Sequence, residues 1–420
     1  MVAAALADHS AHRTCTFEVF ARRLPDGRRY GVVAGTGRLV EQLINFTFGP
    51  EQLAVVEKFL DDNTLEWLSN YRFSGDIDGY PEGELYFPGS PILTVRGSFA
   101  EAVMLETLAL SVLNHDSAIA SAAARMVTAA GPRPIIEMGS RRTHEQAAVA
   151  ASRAAYLAGL SATSNLEAAH RHGVPSAGTS AHSFTLVHTT AEGPDEKTAF
   201  AAQIARLGVG TTLLVDTYDI TQGVANAIEV AGPELGGVRI DSGDLGVLAR
   251  QVRKQLDDLG ATKTRIVVSG DLDEYAIASL RAEPVDVYGV GTSLVTGSGA
   301  PTAGMVYKLV EVDGIPVAKR ASHKESRGGA KTAIRTAKSS GTIVEEIIYR
   351  SGTAAPDLDL PARPLQIPLV RGGKPVDHLP SLTESRDHLA AALVSLPWEG
   401  LGLSHGDPAI PTRFVTPRGE

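Results

Sequence analysis

Between Thr211 and Thr296 the chain alternates short apolar runs with amphipathic stretches, and this rhythm sharply limits the folds open to it. TLLVD (Thr212–Asp216), VRID (Val238–Asp241), RIVVS (Arg265–Ser269) and VDVYGV (Val285–Val290) read as buried strands. Between them, LGVLARQVRKQLDDLG and LDEYAIASLRA read as helices. Apolar strands separated by helices belong in a parallel sheet or barrel that is covered on its faces. A parallel barrel presents its site at the C-terminal ends of its strands. Here those ends carry Asp216, then Asp241-Ser242-Gly243-Asp244, then Ser269-Gly270-Asp271, then Gly289-Val290-Gly291-Thr292-Ser293. Carboxylates and glycine turns gathered on one face point to an enzyme.

The flanks have a different texture. TFEVFARRL (Thr16–Leu24) alternates like a strand, and YGVVAGTGRLVEQL reads as strand, glycine turn and helix. GYPEGELYFPGSPILTVRG (Gly79–Gly97) has the rhythm of short strands and tight turns. From Phe99 to Gly131 the chain is rich in alanine and leucine and reads as long buried helix. After Gly352 it is proline-rich, an irregular wrap with one helix from about Thr383 to Leu393 that ends before Pro397. The expected organisation is α/β, a large domain over 106–340 flanked by a smaller α+β unit formed from 1–105 and 341–420.

Bulk properties narrow the class. With 420 residues, 43% of them apolar, the chain can bury a sizeable core. A net charge of -9 argues against a long polybasic surface for nucleic acid, while leaving room for a local phosphate site. The single cysteine, Cys15, allows no intrachain disulfide and suits a reducing compartment. MVAAALADHSAHR lacks the basic and apolar segments of a signal peptide, and no long apolar run follows. A cytoplasmic protein without a membrane span is the expectation.

Several residues stand out, each with a bland reading beside the sharp one. Asp241, at a strand end, suits the holding of sugar hydroxyls or Mg²⁺. Asp216 and Asp271 share that placement, though Asp271 also suits a helix cap, and Asp244 suits a cap better than a site. GVGTS (Gly289–Ser293) exposes backbone N–H groups and hydroxyls, a nest for phosphate, although such turns are common. MGSRR (Met138–Arg142) offers either an anion clamp, chiefly Arg141, or two solvated arginines at a helix start. AKRASHKESRGGAKTAIR (Ala318–Arg335) is a basic stretch for polyphosphate or a solvated loop. In GTSAHSF, His182 sits among Thr179, Ser180 and Ser183, either as a phosphoryl carrier with hydroxyl donors around it or as a satisfied core histidine. The absence of GxxxxGK[ST] and HExxH argues against a P-loop ATPase and a zinc hydrolase.

Taken in order, FEVFARRLPDGRRYGVVAGTGR, IIEMGSRR, ATSNLEAAHRHGVPSAGTSAHSF, LLVDTYDI, VRIDSGDLG, VVSGDLDE and VYGVGTSLVTG resemble the nicotinate phosphoribosyltransferases over nearly the whole chain. The resemblance implies an irregular parallel α/β barrel of the type II phosphoribosyltransferase kind, with a smaller α+β domain built from both termini. It implies a homodimer whose active sites are shared between subunits, with no nucleic-acid or membrane partner. The implied reaction joins nicotinate to 5-phosphoribosyl-1-diphosphate, giving nicotinate mononucleotide and pyrophosphate in NAD salvage. Mg²⁺ is the implied metal and ATP a co-substrate, whose hydrolysis is coupled through a phosphohistidine.

By the same resemblance, His182 is that histidine and acts with Asp241 and Arg239. Asp241 touches Mg²⁺ through water, without a dedicated metal site. Arg141, Asp216, Gly270 and Asp271 bind substrate, and Met138, Thr163 and Ser164 line the nicotinate pocket. Gly289, Gly291 and Thr292 hold the 5′-phosphate, and Lys319, Lys324 and Lys331 belong to a phosphate loop. Family members usually begin with an aspartate–x–tyrosine–x–x–threonine–methionine segment whose tyrosine stacks on the pyridine ring. This sequence starts with Met1 and VAAALADHS, so either a longer N-terminus or the lack of that ring contact is expected. Met138 stands where relatives can present an aromatic ring, and a thioether makes a looser contact. Nicotinamide or quinolinate as the acceptor, a generic phosphosugar barrel enzyme, or a silent phosphoribosyl-diphosphate-binding remnant are the other readings.

Overall fold

The computed structural model describes residues 1–319 and 327–415. The chain divides into two units, Ala122–Gly299 and the combination of Met1–Ser121 with Ala300–Glu420.

The unit Ala122–Gly299 is built on six parallel strands: β1 (Ile135–Glu137), β2 (Ala162–Thr163), β3 (Thr212–Leu214), β4 (Gly237–Ile240), β5 (Arg265–Val268) and β6 (Val287–Val290). Their order in the sheet is β3-β4-β5-β6-β1-β2. The last strand therefore pairs with the first, as in a barrel, through Tyr288 opposite Ile135 and Val290 opposite Glu137. The ladder is open between β2 and β3, where residues 164–211 intervene. This is an irregular α/β barrel in half-barrel form. The four strands expected from the apolar runs are present: three are a little shorter than their runs, and Gly237–Ile240 is displaced by one residue from its run. Asp216, Asp241 and Ser269 lie just beyond the C-terminal ends of these strands, where their side chains can form a site.

The intervening helices are also placed by local chemistry. Asp244 caps Leu245–Asp258 by accepting from the Val247 N–H at 3.1 Å, an interaction worth about 1 kcal/mol. Asp219 caps Ile220–Ala231 in the same way. The cap of Glu274–Ser279 is Asp273, so Asp271 is not a helix cap.

The unit built from both termini holds more of the chain than the barrel does. The span 106–340 expected for the barrel is longer than the observed unit at both ends. The physical reason lies in strand pairing: Met305–Val312 runs antiparallel to Thr14–Ala21, which ties the residues after Ala300 to the N-terminal strands. The long helix Glu106–Ala130 starts in this unit and ends in the barrel unit. Leu93–Ser98, Asp76–Gly79 and Ile367–Arg371 extend the antiparallel sheet. A four-stranded sheet of Ala362–Pro364, Lys331–Ala337, Ile343–Arg350 and Thr412–Val415 completes the unit. The tail is thus more regular than a wrap with one helix. Its proline-bearing segments supply sheet strands as well as the helix Leu382–Val394.

Phe17, Val19, Tyr80, Tyr86, Leu93, Val95 and Tyr307 lie in this unit's core, with Phe17 stacked on Tyr307 at 4.9 Å. A buried polar network lies in the same unit. Arg335 donates to Glu84 at 2.5 Å and to Glu346 at 2.7 Å, and all three side chains are at most 1% exposed. Tyr80 donates to Glu346, and Arg363 and His388 reach Glu84. Burial alone would raise the Glu84 carboxyl. The Arg335 charge, the His388 hydrogen bond and the Arg363 charge override it and hold Glu84 well below the usual carboxylate range.

Candidate active site

The sheet brings His182, Asp216, Arg239 and Asp241 together. Asp216 follows β3, Arg239 lies in β4 and Asp241 follows it, so neighbouring parallel strands set the spacing of the two carboxylates. Asp216 Oδ2 accepts from the Asp241 N–H at 2.8 Å and from Ser242 Oγ at 3.0 Å. Its Oδ1 is buried and has no hydrogen-bond partner among the described residues. An unpartnered buried carboxylate oxygen is unfavourable unless something answers its charge.

His182 faces that oxygen. It opens the short helix His182–Leu186, and its side chain is 41% exposed. Nε2 lies 3.8 Å from Asp216 Oδ1 and 3.9 Å from Asp241 Oδ2, and Nδ1 lies 3.1 Å from Thr217 Oγ1. A hydroxyl can donate or accept, so Thr217 serves either ring tautomer. This is not a core histidine. It is accessible, oriented by a hydroxyl and faced by two carboxylates.

Arg239 anchors the other side. Its Nε donates to Ser269 Oγ at 2.8 Å, Nη2 to Asp241 Oδ1 at 2.8 Å and Nη1 to Thr179 Oγ1 at 2.7 Å. Ser269 also donates to Asp241 Oδ1. Partial burial raises the Asp241 carboxyl, but the hydrogen bonds from Ser269 and Arg239 and the charges of Arg239 and His182 outweigh it. Asp241 therefore sits below the usual range and carries its charge into the site. Thr179 is committed to Arg239 and to the Ser180 carbonyl, which removes it from the hydroxyls available to a phosphate.

The neighbouring strand ends add backbone. Gly270 adopts φ +115°, and a Cβ there would meet the Asp241 carbonyl oxygen at 2.6 Å, so only glycine lets the two strand ends pass. Asp271 follows at φ +49°, a left-handed conformation that non-glycine residues rarely hold outside turns and functional sites. It is exposed, and its Oδ1 accepts from Thr292 Oγ1 at 3.3 Å, which joins the SGD turn to the GVGTS turn. Gly289 is buried at the end of β6, Gly291 precedes the turn Thr292–Val295, and a Cβ on Gly289 would meet Met138 Sδ at 3.1 Å.

The MGSRR turn is held from beneath by Glu137. This buried carboxylate accepts from the Gly139 N–H, from Ser152 Oγ at 2.9 Å and from Thr163 Oγ1 at 2.5 Å. Thr163 is itself fully buried, so its hydroxyl supports the turn and is not presented to a ligand, whereas Ser164 beside it is exposed. Arg141 is exposed, and its side chain makes no hydrogen bond or ion pair among the described residues. The helix that follows begins only at Glu145. Arg141 therefore belongs to a turn rather than to a helix start.

The lysines lie in the other unit. Lys331 Nζ pairs with buried Glu18 Oε2 at 2.7 Å, and burial raises the Glu18 carboxyl despite that cation. Lys331, Arg22 and Arg327 line a cavity of about 300 Å³ with Phe20 and Phe414. Lys319 is exposed, and Lys324 lies outside the described residues. Among the described residues no cluster of three or more His, Cys, Asp or Glu side chains could hold a metal ion. No helix among them is long and apolar enough to cross a membrane.

Sequence reasoning left three residues without a role: Thr217, Ser269 and Glu137. Each adjoins or lies within a quoted strand-end motif, and position alone was the signal. The structure also brings a second carboxylate, Asp216, to face His182 beside Asp241.

An opened parallel barrel with charged strand ends is the architecture of a class of phosphoribosyltransferases, and comparison with known proteins agrees. Residues 119–298 match the family described as quinolinate phosphoribosyl transferase, C-terminal domain, and residues 1–114 match the nicotinate phosphoribosyltransferase N-terminal domain. The chain is 65% identical over 418 residues to nicotinate phosphoribosyltransferase pncB1 of Mycobacterium tuberculosis, covering 99% of this chain and 93% of that protein. It is 33% identical to the human nicotinate phosphoribosyltransferase, over 90% of this chain and 86% of that one. The crystal structure of human nicotinic acid phosphoribosyltransferase superposes with a TM-score of 0.85 at 28% identity, covering 100% of this chain and 96% of that chain. A nicotinate-nucleotide pyrophosphorylase from Pyrococcus furiosus shares the fold, with a TM-score of 0.78 at 24% identity over 94% and 92% of the two chains. The chain belongs to the nicotinate phosphoribosyltransferase family.

Proposed function

We propose that this protein joins nicotinate to 5-phosphoribosyl-1-diphosphate, yielding nicotinate mononucleotide and pyrophosphate, and couples the reaction to ATP hydrolysis through His182. The observation that carries the coupling is the accessible His182 ring, set between the Thr217 hydroxyl and two carboxylates. A histidine that receives a phosphoryl group needs exposure, an orienting partner and neighbours that favour positive charge on the ring.

In the transfer step the pyridine nitrogen forms a bond to ribose C1. The bond from C1 to the diphosphate oxygen breaks, and pyrophosphate leaves with the electron pair. Positive charge develops at C1, and the Asp241 carboxylate, held below its usual range and fixed at its backbone N–H by Asp216, suits its stabilisation. Arg141, an exposed cation with no protein partner among the described residues, suits an anionic substrate group. Gly270 and Asp271 face the ribose hydroxyls, and Gly289, Gly291 and Thr292 cradle the 5′-phosphate. Met138 and Ser164 line the nicotinate pocket, with Thr163 supporting it through Glu137.

In the coupling step an imidazole nitrogen attacks the ATP γ-phosphorus, and ADP leaves with the bonding pair. Water later cleaves the nitrogen–phosphorus bond and releases phosphate. Mg²⁺ would be held through water by the partly exposed Asp241 Oδ2, and when bound it would supply charge neutralisation for the diphosphate. Lys319 serves phosphate groups, whereas Lys331 is committed to Glu18, and the protein works as a cytoplasmic homodimer with shared sites in NAD salvage.

The test is incubation with nicotinate, phosphoribosyl diphosphate and Mg²⁺, with and without ATP, read by mass spectrometry. Mononucleotide that rises with ATP is the expected result. Absence of mononucleotide from folded protein would contradict the reading.

A further inference from the structure

We infer that Thr179 is a positioning residue that transmits the state of His182 to the phosphoribosyl side of the site, an inference that rests on the phosphohistidine reading above. The starting observation is how fully Arg239 is tied down. Its three nitrogens donate to three different elements: Nε to Ser269 after β5, Nη2 to Asp241 after β4, and Nη1 to Thr179 in the histidine-bearing segment. Of these, the Thr179 bond is the shortest, at 2.7 Å. Thr179 has already given its own proton to the Ser180 carbonyl, so its oxygen is an acceptor turned toward the guanidinium.

The result is a closed circuit. His182 Nε2 faces Asp241 Oδ2 at 3.9 Å, Asp241 Oδ1 receives Arg239, Arg239 donates to Thr179, and the backbone of Ser180 and Ala181 leads from Thr179 back to His182. Every side chain in this circuit carries or can carry charge except Thr179. It is therefore the one link that can be cut without changing the electrostatics of the site.

Phosphorylation of His182 would put negative charge opposite Asp216 and Asp241, both within ion-pair reach of the ring. Like charges at that distance repel, so the histidine segment shifts relative to the strand ends. The shift pulls on the Thr179–Arg239 bond and re-aims the guanidinium that holds Asp241. Coupling of this kind needs a contiguous physical connection, and here it is a single hydrogen bond from a neutral side chain. Without it, the ring can be phosphorylated and hydrolysed while Arg239 stays fastened to Ser269 and Asp241.

The experiment uses the full-length enzyme and measures two quantities: ADP released per mononucleotide formed, and the effect of ATP on the KM for phosphoribosyl diphosphate. Thr179→Val is near-isosteric and removes only the hydroxyl. The expected result is a variant that still forms phosphohistidine and still transfers without ATP. Its ADP-to-product ratio rises severalfold, and its KM no longer responds to ATP. Thr179→Ser, which keeps the oxygen, restores both quantities, and a purely packing role would not produce that rescue. Should the valine variant fold poorly by its melting curve, Thr179→Ala gives the same comparison. A valine or alanine variant with the wild-type ratio and the wild-type ATP response overturns the inference. A wild-type enzyme indifferent to ATP overturns instead the reading of His182 on which it rests, so the two failures are told apart by the control.

Discussion

Two clusters in this protein use the same chemistry to opposite ends. In the unit built from both termini, Arg335 lies between Glu84 and Glu346, with all three side chains shielded from water. In the barrel unit, Arg239 holds Asp241, but Asp241 is 31% exposed and His182 41%. In the first cluster each carboxylate has a donor out of reach of water, although Arg335 Nε is itself buried without a hydrogen-bond partner among the described residues. In the second, Asp216 Oδ1 is left without a partner and Asp241 Oδ2 faces only the histidine. A closed network of this kind holds strands in place. An open one keeps charge available for a ligand, and the difference lies in solvent exposure rather than in residue type.

The largest expected effect falls on the closed cluster. Arg335→Leu removes the buried cation shared by two carboxylates, leaving Glu346 with only neutral donors, and should destabilise the fold by about 3–5 kcal/mol, read from urea unfolding. A loss below about 1 kcal/mol, the range of exposed ion pairs, would mean that the two clusters do not differ in kind.

Arg141→Ala tests the open side. The arginine is exposed and unpaired among the described residues, so unfolding should be unchanged. Affinity for the anionic substrate should weaken by about 2–5 kcal/mol if the arginine makes buried charged hydrogen bonds there, measured by calorimetry. Unchanged affinity would remove Arg141 from the site.

Acid separates the clusters less strongly. Glu84 and Asp241 are both held below their usual values, so each contributes stability above its unfolded pKa and loses it as pH falls through its folded value. The unfolding free energy should therefore decline below about pH 4. Glu84→Gln should flatten that decline more than Asp241→Asn, because solvent screens the half-open carboxylate. Equal flattening would contradict the contrast.

The barrel strands were legible because VRID, RIVVS and VDVYGV are short, mainly apolar runs followed by turn residues and separated by helical stretches, a pattern with few other solutions. The strand-end carboxylates came with them, since parallel strands bring such ends to one side. The strand Ala162–Thr163 was not read as one, because two residues carry no periodicity. Long-range partners were equally hidden. Lys331 reads as a free cation in a basic stretch, yet it pairs with Glu18, 313 residues away, and no local pattern encodes that. Beyond its position, Glu137 carries no local signal of its role, and only the fold reveals it as the support for the MGSRR turn.

The account turns on His182, and the most direct measurement looks for phosphate on it. The protein is incubated with ATP and Mg²⁺, quenched in alkali to preserve a nitrogen–phosphorus bond, digested and mapped by mass spectrometry beside His182→Ala. The account predicts an acid-labile phosphoryl group on the peptide bearing His182, absent from the variant, which also loses ATP-coupled turnover. ATP-coupled mononucleotide formation that persists in His182→Ala, or a phosphoryl group carried by another residue, would contradict it.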